Sequence, residues 1–227
     1  MAAQLGLNLP ARTALGRDDF MIAPSNAIAV AMIDASADWP QGKFVLSGPQ
    51  GAGKTHLAQV WANSSGARII AAKDLNETDV QSLTPAPLVV EDVPDIAQND
   101  AAQKALFHIH NMMLAARQPL LMTGTQAPNL WNMSLPDLQS RVDAAGHAQI
   151  ELPDDVLLAA VLAKLFNDRH LMPRPDVIPY LVKRIERSFA AAGDVVQVLD
   201  VESLAQKKPM TRHFAQQVLD KRAANET

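Results

Sequence analysis

The 227-residue sequence contains no cysteine. That removes disulfide cross-links, a thiol nucleophile and thiolate-bound zinc, and suits a reducing, cytoplasmic compartment. Aromatic residues are scarce, with three Trp, one Tyr and six Phe to serve the whole core. Its bulk must come from Ala, Leu, Val and Ile, a composition that favours small-residue helices around a β-branched sheet. No apolar run approaches the roughly 20 residues a helix needs to span a bilayer. Arg12 and Arg17 stand in an N-terminal stretch without acids, but the continuous apolar region of a signal peptide is missing there. Nor is there an excess of positive charge: 20 Lys and Arg against 24 Asp and Glu leave a formal charge of −4. A global electrostatic footprint for nucleic acid is therefore absent, and direct sequence-specific DNA binding is not expected.

What is present is a complete G-x-x-x-x-G-K-[ST] phosphate loop, Gly48, Pro49, Gln50, Gly51, Ala52, Gly53, Lys54 and Thr55. Lys43 to Ser47 (KFVLS) in front of it reads as a short buried strand, and Thr55 to Asn63 behind it opens as a helix. This context gives the motif its meaning. The glycines let successive backbone N–H groups converge on a β-phosphate, Lys54 reaches the β/γ oxygens, and Thr55 can ligate Mg²⁺. The helix adds its positive N-terminal end, which brings His56 to the same site. ATP or ADP with Mg²⁺ is the expected cofactor.

Apolar runs and helical patterns alternate along the chain as in a doubly wound nucleotide-binding sheet. Strands are expected at Phe44 to Leu46, Arg68 to Ala71, Leu88 to Val93, Leu120 to Thr123 and Ala148 to Leu152. The strongest helical pattern runs from Asn99 to Arg117, and His108 and His110 on it are expected at the surface or rim. After Pro153 the strand signals stop. Asp154 is placed to cap a helix reaching about Arg169, and further helices are expected over Asp176 to Ser188, Ala190 to Gln206 and Thr211 to Ala223. The expected fold class is α/β: a parallel five-stranded sheet flanked by helices, with a C-terminal all-helical lid subdomain. Its organisation is a tail over 1–19, a nucleotide-binding domain over 20–152 and the lid over 153–227.

Two further motifs bear on phosphate chemistry. Leu88-Val89-Val90-Glu91-Asp92 ends an apolar run in two acids. In phosphate-loop nucleotidases such a strand tip holds Mg²⁺ and orients the attacking water. Glu91 takes the metal and Asp92 the water, or Asp92 takes the metal and no base follows; four preceding apolar positions favour the first. Thr123, ending the run Leu120-Leu121-Met122-Thr123, suits a γ-phosphate sensor. About ten residues on, Ser134 and Asp137 form the pattern of a capping box for a short helix that presents Arg141. A helix-end arginine is a solvated side chain or, in oligomeric nucleotidases, a finger that reaches the neighbouring subunit's nucleotide.

Taken in order, GPQGAGKTH, LVVEDV, ALFHIHN, LLMTGT and LPDLQSRVD, followed by an all-helical lid, resemble the AAA+ module of the replication initiator DnaA, and most of all the Hda family of truncated DnaA relatives. Phe20 to Asn26 is similar to the segment that borders the adenine pocket in that family. The chain stops after the lid, so the resemblance implies an ATPase module without the initiator's DNA reader. Gln4, Leu5, Leu7 and Leu9 in QLGLNLP resemble the family's clamp-binding motif. They imply binding to the β sliding clamp of the replicative polymerase, with Gln4 in a polar subsite and the leucines in apolar pockets. DnaA is the second implied partner, and the sequence leaves monomer and homodimer both open. Two departures stand out. The lid position where most members carry a sensor arginine holds Ala190, with Arg187 about a turn earlier, so the sensor is shifted or lost. The Glu91-Asp92 order is also inverted, and weak hydrolysis by the chain itself follows. The implied function is regulation of chromosomal replication initiation, by stimulating ATP hydrolysis in DnaA. The alternatives are a DnaC-type helicase loader, which needs a further N-terminal domain, and a small-molecule kinase, which needs a more basic lid than Arg169, Arg174, Arg184 and Arg187 provide.

Overall fold

Period-two alternation within the apolar runs sets the layering of the molecule. The computed structural model describes residues 21–76, 80–83 and 86–225. Its strands are β1 (Lys43–Ser47), β2 (Arg68–Ala71), β3 (Leu88–Glu91), β4 (Leu120–Gly124) and β5 (Gly146–Gln149). All pair in parallel, in the order β2-β3-β4-β1-β5. Such pairing requires crossovers, and the intervening helices supply them.

Val45, Leu88, Val90, Leu120 and Met122 enter one apolar cluster. They meet α3 (Val80–Leu83), α4 (Asp100–Ala115) and α5 (Pro136–Asp143). Their alternates Phe44, Leu46, Val89 and Leu121 enter a second cluster on the other face. There they meet α1 (Ala27–Asp34) and α2 (Lys54–Ser65). The scarce aromatics are concentrated here: Trp39 stacks on Phe44 at 5.0 Å and lies 5.1 Å from Trp61. Its Nε1 donates to the Met32 carbonyl at 2.7 Å, so the indole is buried without an orphaned donor. A third apolar cluster, separate from both, joins α6 (Asp155–Asp168), α7 (Val177–Val182), α8 (Phe189–Gln206) and α9 (Arg212–Asn225).

Several boundaries differ from the sequence expectation, each for a local reason. β3 ends at Glu91 rather than Val93, because Asp92 turns into the left-handed region (φ 54°) and Val93–Ile96 forms a 3₁₀ turn. β5 lies earlier than Ala148 to Leu152, because its partner β1 bends into the phosphate loop after Ser47. Beyond Gln149 only single bonds remain, from Ile150 N–H to Ser47 O and from Glu151 N–H to Ser25 O. The helix expected from Asp176 to Ser188 is confined to Val177–Val182; Ser188 is extended and caps α8 through Oγ, which accepts from Ala191 N–H. The Ser134 capping box does not form. Pro136 occupies the first turn of α5, Leu135 precedes it in an extended conformation, and Ser134 Oγ donates to Asp100 and accepts from Gln103. His110 is not at the rim but only 2% exposed, whereas His108 is exposed.

The end of β4 is fixed by close packing. A Cβ added at Gly124 would sit 2.6 Å from Trp131 Cζ2, and the Trp131 ring is itself held by Nε1 donating to Gln126 O at 2.7 Å. Gly124→Ala is expected to destabilise the fold by about 1–3 kcal/mol, as overpacking does. A urea midpoint equal to that of wild type would show that the ring yields freely.

Candidate functional site

Ligands of parallel α/β sheets bind outside the carboxyl ends of the strands, and here β1, β3 and β4 deliver the phosphate loop, the acid pair and Thr123 to that edge. The loop passes between β1 and the first turn of α2. Gly51 and Gly53 hold φ +81° and +98°, which side-chain-bearing residues rarely adopt. A Cβ at either would also strike the lid, 2.4 Å from Ser188 Cβ and 2.8 Å from Phe189 Cε2. Phe189 N–H donates to Gly51 O at 3.2 Å, so the start of α8 is seated on the loop.

Between them lies a cavity of about 550 Å³, bounded by Gln50, Lys54, Thr55, Gln59, Asp92 and Phe189, with His56 and Ala190 on its margin. Lys54 is buried, and Nζ donates to the carbonyls of Gly48 (2.7 Å) and Pro49 (3.1 Å). Burial lowers its pKa, while Asp92 and then Glu91 oppose that by holding the charge in place. Thr55 is exposed at the cavity. Asp92 also borders the cavity, in a left-handed conformation secured by its N–H donating to Thr123 Oγ1 at 3.0 Å. Thr123 is 1% exposed, and its Oγ1 accepts that bond. Glu91 is half-buried, and its Oε1 is buried without a partner among the described residues. Thr55 and Asp92 open on the cavity beside the buried ammonium, with Glu91, whose charge also acts on Lys54, next to Asp92 in the chain: oxygen donors that fit a hydrated Mg²⁺ beside phosphate.

Arg187 is not brought into this cavity. Its guanidinium pairs with Asp155 Oδ1 at 2.7 Å at the start of α6, with both side chains more than half exposed. Gln4, Leu5, Leu7 and Leu9 lie outside the described residues.

Arg141 stands at the opposite edge of the sheet. It occupies the last turn of α5, close before Gly146, which pairs with Phe44 near the start of β1. At about 3.3 Å per strand residue, β1 alone separates that edge from its own phosphate loop by roughly 16 Å. The guanidinium lies over the Phe107 ring of α4, 4.7 Å from its centroid. Among the described residues it has no hydrogen bond or ion pair. The helix beneath it is tied down by polar groups with no recognisable sequence motif. Gln103, fully buried on α4, donates to Ile96 O, Ala97 O and Ser134 Oγ and accepts from Leu135 N–H. Gln139 accepts from Met133 N–H and donates to Pro128 O and Asp143. Gln59, Phe189 and Gln103 are the site residues that sequence reasoning missed: Gln59 lies one helical turn after Thr55, where the i,i+4 spacing could have found it, whereas no spacing rule links Phe189 and Gln103 to positions so far away in the chain.

No family model matches the chain. It is 24% identical over 199 residues to an uncharacterized protein of Haemophilus influenzae, covering 82% of this chain and 84% of that protein. It is 24% identical over 226 residues to the chromosomal replication initiator protein DnaA of Cutibacterium acnes, covering 89% of this chain but only 45% of the initiator. Domain III of the Thermotoga maritima replication initiation protein DnaA superposes with a TM-score of 0.82 at 18% identity, over 94% of this chain and 98% of that one. AMPPCP-bound DnaA from Aquifex aeolicus superposes at 0.69 and 18% identity, over 84% and 68%. The fold is thus that of domain III of a DnaA replication initiation protein.

Proposed function

We propose that this chain binds ATP or ADP and acts as an Hda-type regulator of replication initiation, which docks on ATP-bound DnaA and supplies Arg141 to the nucleotide held by that partner. The observation that carries the reading is the placement of Arg141: stacked on Phe107, without a charged partner among the described residues, on the sheet edge remote from the chain's own phosphate loop. A guanidinium so placed cannot serve its own site and is set out for another molecule's. AMPPCP in a DnaA of the same fold supports nucleotide binding at the loop of this chain.

On this reading Lys54 and the loop amides hold the β/γ-phosphates, and Thr55 with Glu91 holds Mg²⁺, directly or through water. Bound Mg²⁺ would neutralise phosphate charge there. Thr123 positions the Asp92 backbone through their hydrogen bond, and Asp92 faces the cavity. Arg187 and the position of Ala190 contribute no cation to that cavity, which accords with weak hydrolysis by the chain itself. Gln4, Leu5, Leu7 and Leu9 bind the β sliding clamp, and a weak peptide suffices because the ring repeats its sites and tethering raises the local concentration of the AAA+ face.

The test is co-purification of the chain with clamp and DnaA in the presence of ATP. A ternary assembly is expected; its absence when DnaA is saturated with ATP would overturn the reading. The tail is tested separately. Substituting Ala at both Gln4 and Leu7 should abolish co-elution with clamp and leave the thermal unfolding midpoint unchanged. Retained co-elution would remove the clamp assignment.

A further inference from the structure

Beneath Arg141 lies a second cavity, of about 360 Å³, lined by Lys43, His110 and Arg141 with Gln41, Asp137 and Ser140 at its polar margin. Three elements deliver its basic groups: Lys43 starts β1, His110 lies on α4 and Arg141 on α5. Two of them are buried to an unusual degree. Lys43 is 1% exposed, yet its ammonium donates only to Gln118 O, at 3.1 Å, among the described residues. His110 is 2% exposed; its Nδ1 is sealed from solvent, so the ring borders the cavity without presenting that nitrogen to it. A buried ammonium that uses one of its three donors is costly, and such a group persists where something else satisfies it. Asp137 is the one acid on the lining, so it offers one countercharge to two cations. The missing chemistry is an oxyanion.

We propose that this cavity is a binding site for a small phosphoryl oxyanion, held by Lys43 and Arg141 beside the His110 ring and taken up by the chain alone, without a partner. Arginine and lysine give the charge-assisted bonds that phosphate oxygens prefer, and the Ser140 hydroxyl adds a neutral donor. The volume exceeds that of phosphate itself. Gln41 and Asp137 are therefore left to meet hydroxyl groups on the organic part of a phosphate ester, or the waters around free phosphate. On the reading of Arg141 given above, an occupied cavity would also engage the guanidinium and withdraw it from the partner's nucleotide. The binding itself does not depend on that reading.

His110 reports occupancy. Burial, with Lys43 and Arg141 beside it, holds its pKa down to about 4, so the ring is neutral at neutral pH. Asp137 is the other charged group on the lining. An anion between the two cations must favour the protonated ring and raise that pKa.

The experiment follows the His110 ring resonances by NMR, assigned with His110→Phe, while inorganic phosphate replaces chloride at constant ionic strength. Phosphate held by the loop at the far sheet edge would leave this reporter unmoved. A saturable shift is expected, with the apparent pKa of His110 raised by about 1–3 units. Lys43→Met, which keeps the buried stem, should weaken the response at least tenfold. Glycerol phosphate, run in parallel, separates the sources: tighter binding than inorganic phosphate assigns an ester, weaker binding assigns free phosphate. No saturable shift of His110 in wild type with either anion, into the tens of millimolar, would overturn the proposal, whether or not Lys43→Met folds.

Discussion

Lys54→Ala is expected to abolish measurable binding of ATP and ADP. The Lys54 amine is buried beside the loop; burial lowers its pKa, and Asp92 and Glu91 oppose that lowering. Loop amides alone provide partial charges, whereas the β/γ-phosphates bring several full negative charges into a half-enclosed cavity. Each hydrogen bond from a charged donor is worth about 1.5–3 kcal/mol, so losing two would weaken binding by roughly two to four decades. The same substitution deprives the carbonyls of Gly48 and Pro49 of a donor, and some loss of stability accompanies it. Equilibrium dialysis is therefore to be paired with a thermal melt, so that a folded variant without affinity is distinguished from an unfolded one. Unchanged affinity in a folded Lys54→Ala protein would mean that the loop is not the nucleotide site.

How much was legible in the sequence depended on the range of the interaction. The phosphate loop, the strand before it and the helix after it were readable because the whole device is contiguous and its glycines answer to local backbone needs. The β2 boundaries, Arg68 to Ala71, and the Asp154 cap of α6 were readable for the same reason. The fold class followed from alternation of apolar runs with helical patterns. Errors arose where a distant partner overrides local preference. Ser134 looks like a helix cap, but Asp100 and Gln103 recruit its hydroxyl across 34 and 31 residues of chain. His110 looks like a surface residue on a long amphipathic helix, and only the approach of α5 and the start of β1 buries it. β5 looks as though it should continue to Leu152, but its partner strand ends first. Phe189 was invisible as a site residue because its role depends on how the lid is seated on Gly51.

Arg141→Ala separates the activator reading from that of a self-contained ATPase. If the guanidinium acts in trans, the substitution leaves clamp binding and nucleotide binding of this chain intact and removes its stimulation of ATP hydrolysis by DnaA, because the loss is confined to charge that develops in the transition state. Fingers supplied in trans accelerate hydrolysis by roughly 10³- to 10⁵-fold, so the effect should approach complete loss rather than a partial decline. The fold should tolerate the change: the side chain is half-buried, its contact among the described residues is the Phe107 ring, and α5 is anchored independently through Gln103 and Gln139. Arg141→Lys is the sharper control. It restores charge but neither the planar fork nor the stacking on Phe107, and should recover little of the stimulation. The measurement is ADP formed from labelled ATP prebound to DnaA, with DNA-loaded clamp, for wild type and both variants. Undiminished stimulation by Arg141→Ala would sink the finger assignment. Rapid turnover by the isolated chain would favour a self-contained ATPase instead, since that requires a catalytic cation at the chain's own phosphate loop, where neither Arg141 nor Arg187 stands.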